Sequence, residues 1–197
     1  MSPITHFLSG WAVANSTNLG RRDRALVALA AVLPDLDGAG VIRDLISRSG
    51  TYEYYQRYHH VFGHNIFFGL LMALLGLAAG VRRGIVAVLV FVSFNVHILE
   101  DIVGSHGLGD DLWAVPYFWP LSDHEYVWSG QWPLNGWQNF AITGVLLGMM
   151  FYWAWKRGHS PIELVSQKAD AGFVDVIRQR FGKPAAQRDG FIDREEI

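Results

Sequence analysis

Apolar residues in this chain fall in long, nearly unbroken runs, not in the single stripes or strict alternation of a soluble fold. Ile66 to Val81 is sixteen residues without a polar side chain, and Gly84 to Leu99 is interrupted only by Ser93, Asn95 and His97. Arg82 and Arg83, the two formal charges between Tyr58 and Leu99, separate these runs and predict the turn of a helical hairpin. A third run, Asn139 to Trp155, ends in Lys156-Arg157, and a shorter fourth, Ala25 to Leu33, follows Arg21, Arg22 and Arg24. Strand signals are weak throughout, so the pattern predicts an all-α chain.

As helices the longer runs reach about 24–26 Å, against a hydrocarbon core of about 30 Å. Core helices of a soluble protein have the same length. Three features favour a membrane-embedded helical bundle instead. Glycines and aromatics occur on every face of the runs, flanking residues such as Phe62, Phe140, Trp153 and Trp155 suit an interface, and the basic clusters fall at one end. The expectation is at least three spans, with the basic turns in the cytoplasm. No secretory signal peptide is expected, because Met1 to Thr5 has no basic stretch.

Charge divides the chain further. Residues 1–158 carry 21 charged side chains and the last 39 residues carry 13. Residues 1–158 are therefore expected to form the membrane-embedded domain. Residues 159–197 are expected to form a polar amphipathic helix, about Ile162 to Phe181, and a flexible tail after Gly182-Lys183-Pro184. With no cysteine, disulfides, thiolate metal sites and cysteine nucleophiles are excluded. A net charge of −2 without a basic run offers no footprint for nucleic acid. Eight histidines remain as the main source of chemistry.

His97 and Asp101, at i and i+4, share one helix face and suit one metal ion. Asp35 and Asp37 follow Pro34, and two carboxylates so close repel unless they are solvated or bridged by a cation. His60 and His64 share a helical face, whereas His59 and His64 converge only if His59 precedes the helix. His6 lies in an otherwise apolar amino terminus. Each has an ordinary structural reading by itself, as a core histidine, a helix-ending turn or a packing residue. Their agreement in level is the stronger signal. With the arginines at one end of the helices, His6, Asp35, His64, His97 and Asp101 all fall at the other. Nitrogen and oxygen donors of this kind suit a multinuclear Zn²⁺ centre, since carboxylates can bridge two ions. Nothing like a serine triad, a Walker loop or a dinucleotide fingerprint competes with it.

In this order His6, Leu33-Pro34-Asp35-Leu36-Asp37, His59-His60-Val61-Phe62-Gly63-His64-Asn65, His97-Ile98-Leu99-Glu100-Asp101 and Phe118-Trp119-Pro120-Leu121-Ser122 form a set. The set resembles the LexA-regulated family of bacterial inner-membrane metal-dependent hydrolases, which is similar in turn to zinc-dependent phospholipase C. The resemblance covers about residues 1–125. It implies that His6, Asp35, His59, His64, His97 and Asp101 are metal ligands, with Asp37 a ligand or a partner of one. Where that family has His-Arg-Gly-x-Thr-His-Ser, this chain has His60, Gly63 and Asn65 in place of the arginine, threonine and serine. Gly104 replaces the threonine usual after the His-x-x-x-Asp motif. Helical spacing thus selects His60 with His64, and the resemblance selects His59 with His64.

The expected activity is hydrolysis of an ester or phosphoester of a lipid-like or other small-molecule substrate, with two or three metal ions, Zn²⁺ foremost. Asp35 is the candidate base, and the lipid bilayer is the expected partner. The alternative is a non-catalytic membrane protein binding haem or metal, with His64 and His97 across a porphyrin, or a transport component.

Overall fold

The computed structural model describes residues 1–47, 59, 61–106 and 112–184. Its regular structure is helical, as the runs predict, with only isolated bridge pairs such as Val115 with Tyr126 among the described residues. In chain order come α1 (Pro3–Ala14), α2 (Arg21–Ala30), a 3₁₀ helix (Leu33–Ala39), α3 (Gly40–Ser47), α4 (Ile66–Ala79), α5 (Arg83–Gly104), α6 (Trp137–Arg157), a second 3₁₀ helix (Pro161–Leu164) and α7 (Gln167–Phe181). They form two compact units, Met1–Gly144 and Val145–Ile197, so the division falls inside α6.

The hairpin expected around Arg82 and Arg83 is α4 and α5. Asn65 starts α4 by accepting a hydrogen bond from the Phe68 N–H, at 3.0 Å. The run then stops short of Val81, because Gly80 turns into extended backbone. The packing of α4 is inverted relative to a soluble helix. Its buried residues are Gly69 and Gly76, while Leu70, Leu71, Leu74 and Leu75 face outward. A Cβ at Gly69 would lie 2.5 Å from the Phe94 ring, so the glycine lets α4 and α5 approach. Small residues inside and leucines outside are what association within lipid produces.

Helix α5 outruns its apolar run and continues through Glu100 and Asp101 to Gly104. Its 22 residues make it long and apolar enough to cross a membrane. The α2 and 3₁₀–α3 pair, bent by 48°, passes the same test only as one broken span. At 14 residues α4 is short. Length and composition therefore provide one or two spans among the described residues, fewer than the three expected.

The basic end of the first unit is tied by Asp23. This buried carboxylate accepts from the N–H groups of Val81, at 2.7 Å, and Arg82, at 3.0 Å. Arg21–Arg24 and Arg82–Arg83 thus share one end. Lys156 and Arg157 belong to the second unit. Above Asp23 the core is apolar, with Ala14, Leu19, Val27, Ala30, Val86 and Val90. In the second unit the expected tail helix begins at Gln167 and not at Ile162. The Ser166 side chain caps it at Ala169, and residues 161–164 form a 3₁₀ turn capped by Ser160.

Replacing Gly69 by Val forces a methyl-bearing Cβ into Phe94, and overpacking of this kind costs about 1–3 kcal/mol. The thermal midpoint in detergent should fall accordingly. Gly84→Ala, where an added Cβ meets nothing within 4 Å, should change stability by no more than about 1 kcal/mol, in the stabilising direction.

Candidate metal centre

Four segments meet at the end of the first unit opposite the arginines. Helix α1 brings His6, the 3₁₀ helix brings Asp35 and Asp37, the turn before α4 brings His64, and α5 brings His97 and Asp101. Two glycines permit this convergence. A Cβ at Gly10 would sit 2.6 Å from Ala31 Cβ, and one at Gly63 would sit 2.2 Å from the Pro34 carbonyl oxygen. Any larger residue would push α1 off α2, or the histidine turn off the Asp35 turn. The last turn of α5 is held in place by side chains. Gln131 Nε2 donates to the carbonyls of Asp101, at 3.1 Å, and Ile102, at 3.0 Å, and Asn139 Nδ2 donates to that of Gly104, at 2.9 Å.

The three central imidazoles are oriented alike. His6 Nδ1 donates to Glu100 Oε2 at 2.6 Å, His64 Nδ1 to Asp37 Oδ2 at 3.0 Å, and His97 Nδ1 to the Ala31 carbonyl at 2.8 Å. Carboxylates and carbonyls only accept, so each Nδ1 carries the hydrogen and each neutral ring presents a bare Nε2 lone pair. Those lone pairs face one another and two carboxylates. His64 Nε2 is 3.0 Å from His97 Nε2 and 3.3 Å from Asp101 Oδ2. His97 Nε2 is 3.1 Å from Asp101 Oδ2 and 3.7 Å from Asp35 Oδ1. His6 Nε2 is 3.2 Å from Asp101 Oδ1, yet it is buried with no hydrogen-bond partner.

Donor atoms bound about 2.0 Å from a tetrahedral ion stand about 3.3 Å apart, which is the scale of these separations. The donor atoms of His6, Asp35, His97 and Asp101 all lie within 4.8 Å of one another. Lone pairs packed against lone pairs need a cation between them, and the orphaned His6 nitrogen has no other use. The cluster can therefore hold a metal ion. Imidazoles anchored through the other ring nitrogen are the usual form of such ligands.

The remaining candidate residues take other places. Asp37 accepts from His59 Nδ1 at 2.8 Å, from the Gly63 N–H at 2.9 Å and from His64, so its oxygens clamp the histidine turn. His59 stands beyond Asp37, its ring centroid 5.5 Å from that of His64. His60 lies outside the described residues. The Trp119 ring of the Phe118–Ser122 motif meets Phe62 edge-on, and the carbonyl of Tyr117, just ahead of the motif, accepts from the Ile66 N–H, so this segment braces the histidine turn. Sequence reasoning missed Glu100 as the partner of His6. Ser9 Oγ donates to its other oxygen. Asp101 also accepts from the Met1 amino group and from Ser105 Oγ.

With 3.0 Å between His64 Nε2 and His97 Nε2 there is no room for a porphyrin between these two rings.

Burial pushes the His64 imidazole down, but the Asp101 and Asp37 carboxylates outweigh it and raise its pKa to about 9. A proton on this ring takes the cation's place, and metal enters by displacing it. The sign is then fixed. In chelated protein His64 contributes stability that is fully present below about pH 6.5 and lost as pH rises through about 9. Metal-loaded protein should show the opposite slope, because metal affinity grows as the proton leaves. Thermal midpoints at several pH values, with chelator and with zinc, distinguish the two.

No curated protein and no solved structure matches this chain. A family model does, over residues 1–166, a stretch that holds every residue of the cluster. It is the model of the YdjM inner membrane proteins, and the chain belongs to that family.

Proposed function

We propose that this chain is a multi-pass, membrane-bound, metal-dependent hydrolase acting on an ester or phosphoester of a lipid-like substrate. The observation that supports it most is the division of labour around Asp101. Its Oδ1 faces His6 beside the Met1 amino group and Ser105 Oγ, while its Oδ2 faces His64 and His97. A carboxylate with imidazoles on both oxygens would suit a centre of more than one ion, and the nitrogen–oxygen donor set suits Zn²⁺. His6, His64, His97, Asp101 and Asp35 would hold the metals, with Glu100 and Asp37 keeping the rings in register.

When bound, zinc supplies a water whose pKa falls towards about 7 and polarises the scissile group. Asp35 would handle the proton, a role supported by its side chain being 21% exposed, and so open to water, where the imidazoles are fully buried. Asp35 accepts the proton of the attacking water and returns it to the leaving oxygen. A lipid-like substrate is supported by the family's place in the inner membrane, where the cluster would lie near a bilayer surface.

Purified protein should carry about two zinc ions per chain by elemental analysis. His97→Ala should remove metal and turnover together. Asp35→Asn should keep more metal than His97→Ala, yet lose about 10²–10⁴-fold in turnover of model esters. Zinc-loaded protein that cleaves neither esters nor phosphoesters would overturn the hydrolase reading.

The proposed orientation places Arg21–Arg24 and Arg82–Arg83 in the cytoplasm and the cluster at the opposite surface. The absence of cysteine makes single-cysteine labelling clean. In intact cells an impermeant maleimide should label Leu121→Cys and spare Arg22→Cys. The reverse pattern inverts the topology.

A further inference from the structure

The second compact unit contains a site that the metal chemistry does not use. Phe151, Tyr152 and Trp155 of α6, with Ile177 and Phe181 of α7, line a cavity of about 430 Å³. Its walls are aromatic and aliphatic. Cations stand at its margin. Lys156 Nζ lies 5.4 Å over the Tyr152 ring and donates to the Tyr152 hydroxyl at 3.0 Å. Arg178 Nε donates to the Trp155 carbonyl at 3.1 Å, and its Nη2 is buried with no hydrogen-bond partner.

The charge around this groove is one-sided. Lys156, Arg157, Lys168, Arg180 and Lys183 are exposed, and Asp175 is the single exposed carboxylate among the described residues of the unit. The other two acids are buried, with Asp170 committed to the Ser160 N–H and hydroxyl. Phe181, at the lip of the cavity, is 74% exposed.

We propose that this groove binds an anionic phospholipid of the inner membrane, one acyl chain on the aromatic floor and the phosphate against Lys156 at its rim. A soluble anion would use the basic rim but leave the apolar floor and Phe181 in water. A second copy of the chain would set two basic rims against each other across a twofold axis, at an electrostatic cost. A phospholipid satisfies both halves: basic side chains beside a bilayer attract anionic headgroups, and tyrosine and tryptophan suit the interface. The site is independent of the hydrolase reading.

The test uses the full chain purified in mild detergent and offered equal amounts of phosphatidylglycerol and phosphatidylcholine, with bound lipid read by native mass spectrometry. The unmodified chain should retain phosphatidylglycerol in preference. Lys156→Gln should reduce that preference about fivefold, the effect of one lysine near an anionic surface. Phe181→Ser should reduce retention of both lipids. Both side chains are exposed, so the thermal midpoint should not move and a folding defect is separable. Equal retention of the two lipids by the unmodified chain overturns the proposal, as does a preference unchanged in Lys156→Gln or retention unchanged in Phe181→Ser. So does a two-chain species, free of lipid, that disappears with Phe181→Ser.

Discussion

A carboxylate with 2% exposure, Asp101, sets the terms for the first unit. Burying a charge without partners is costly, and breaking a buried pair strands the other member. Asp101 therefore needs positive or polarised groups on every side, and imidazoles arrive from α1, from the turn before α4 and from its own helix. Each ring is committed through Nδ1 to a further acceptor, Glu100, Asp37 or the Ala31 carbonyl. The network is nested: a carboxylate at the centre, nitrogens around it, and a second set of acceptors fixing the nitrogens. The Met1 amino group meets Asp101 from one side, and a further cation among the imidazoles, proton or metal, completes the arrangement by engaging the orphaned His6 nitrogen.

Local backbone structure serves the same demand. Helix α2 ends at Ala30, and the carbonyl that continued helix would have used at Ala31 is taken by His97. The 3₁₀ turn that follows carries Asp35 and Asp37 two residues apart, so that one reaches the cluster while the other clamps the histidine turn. Gly63 lets that turn lie against Pro34, and Gly10 lets α1 lie against Ala31. Small residues at these crossings bring chemistry-bearing side chains within bonding distance of one another.

The exterior of α4 reverses the usual order of a soluble protein: its glycines are inside and its leucines are outside, while α5 buries Ser93, His97 and Asp101 among Val86, Val90, Phe94 and Ile98. Large exposed apolar faces are unfavourable in water and neutral in lipid, where packing and hydrogen bonds take over as the forces between helices. Membership of an inner-membrane family and the apolar exterior of α4 are thus consistent with one solvent, the bilayer.

Much of this was legible from the residues alone. The helical class, the hairpin with its arginine turn and the gathering of His6, Asp35, His64, His97 and Asp101 at one level follow from where the apolar runs begin and end. The His97–Asp101 pair needs only helical periodicity. What the tertiary structure decided lies between distant segments. Glu100 lies on the helix that His97 and Asp101 predict, but its partners, Ser9 and His6, are more than ninety positions away, and nothing local marks it as the group that orients the His6 ring. Asp37 reads as a ligand or a partner of one, and only the fold shows its oxygens taken up by the turn around Gly63, by His64 and by His59. The short α4 exposes its leucines because Gly69 sits against Phe94, a contact no local pattern encodes. Periodicity records which face of a helix is apolar. It does not record which side chain of another helix will fill or charge the space opposite, because that is settled by packing and by the compensation of buried charge.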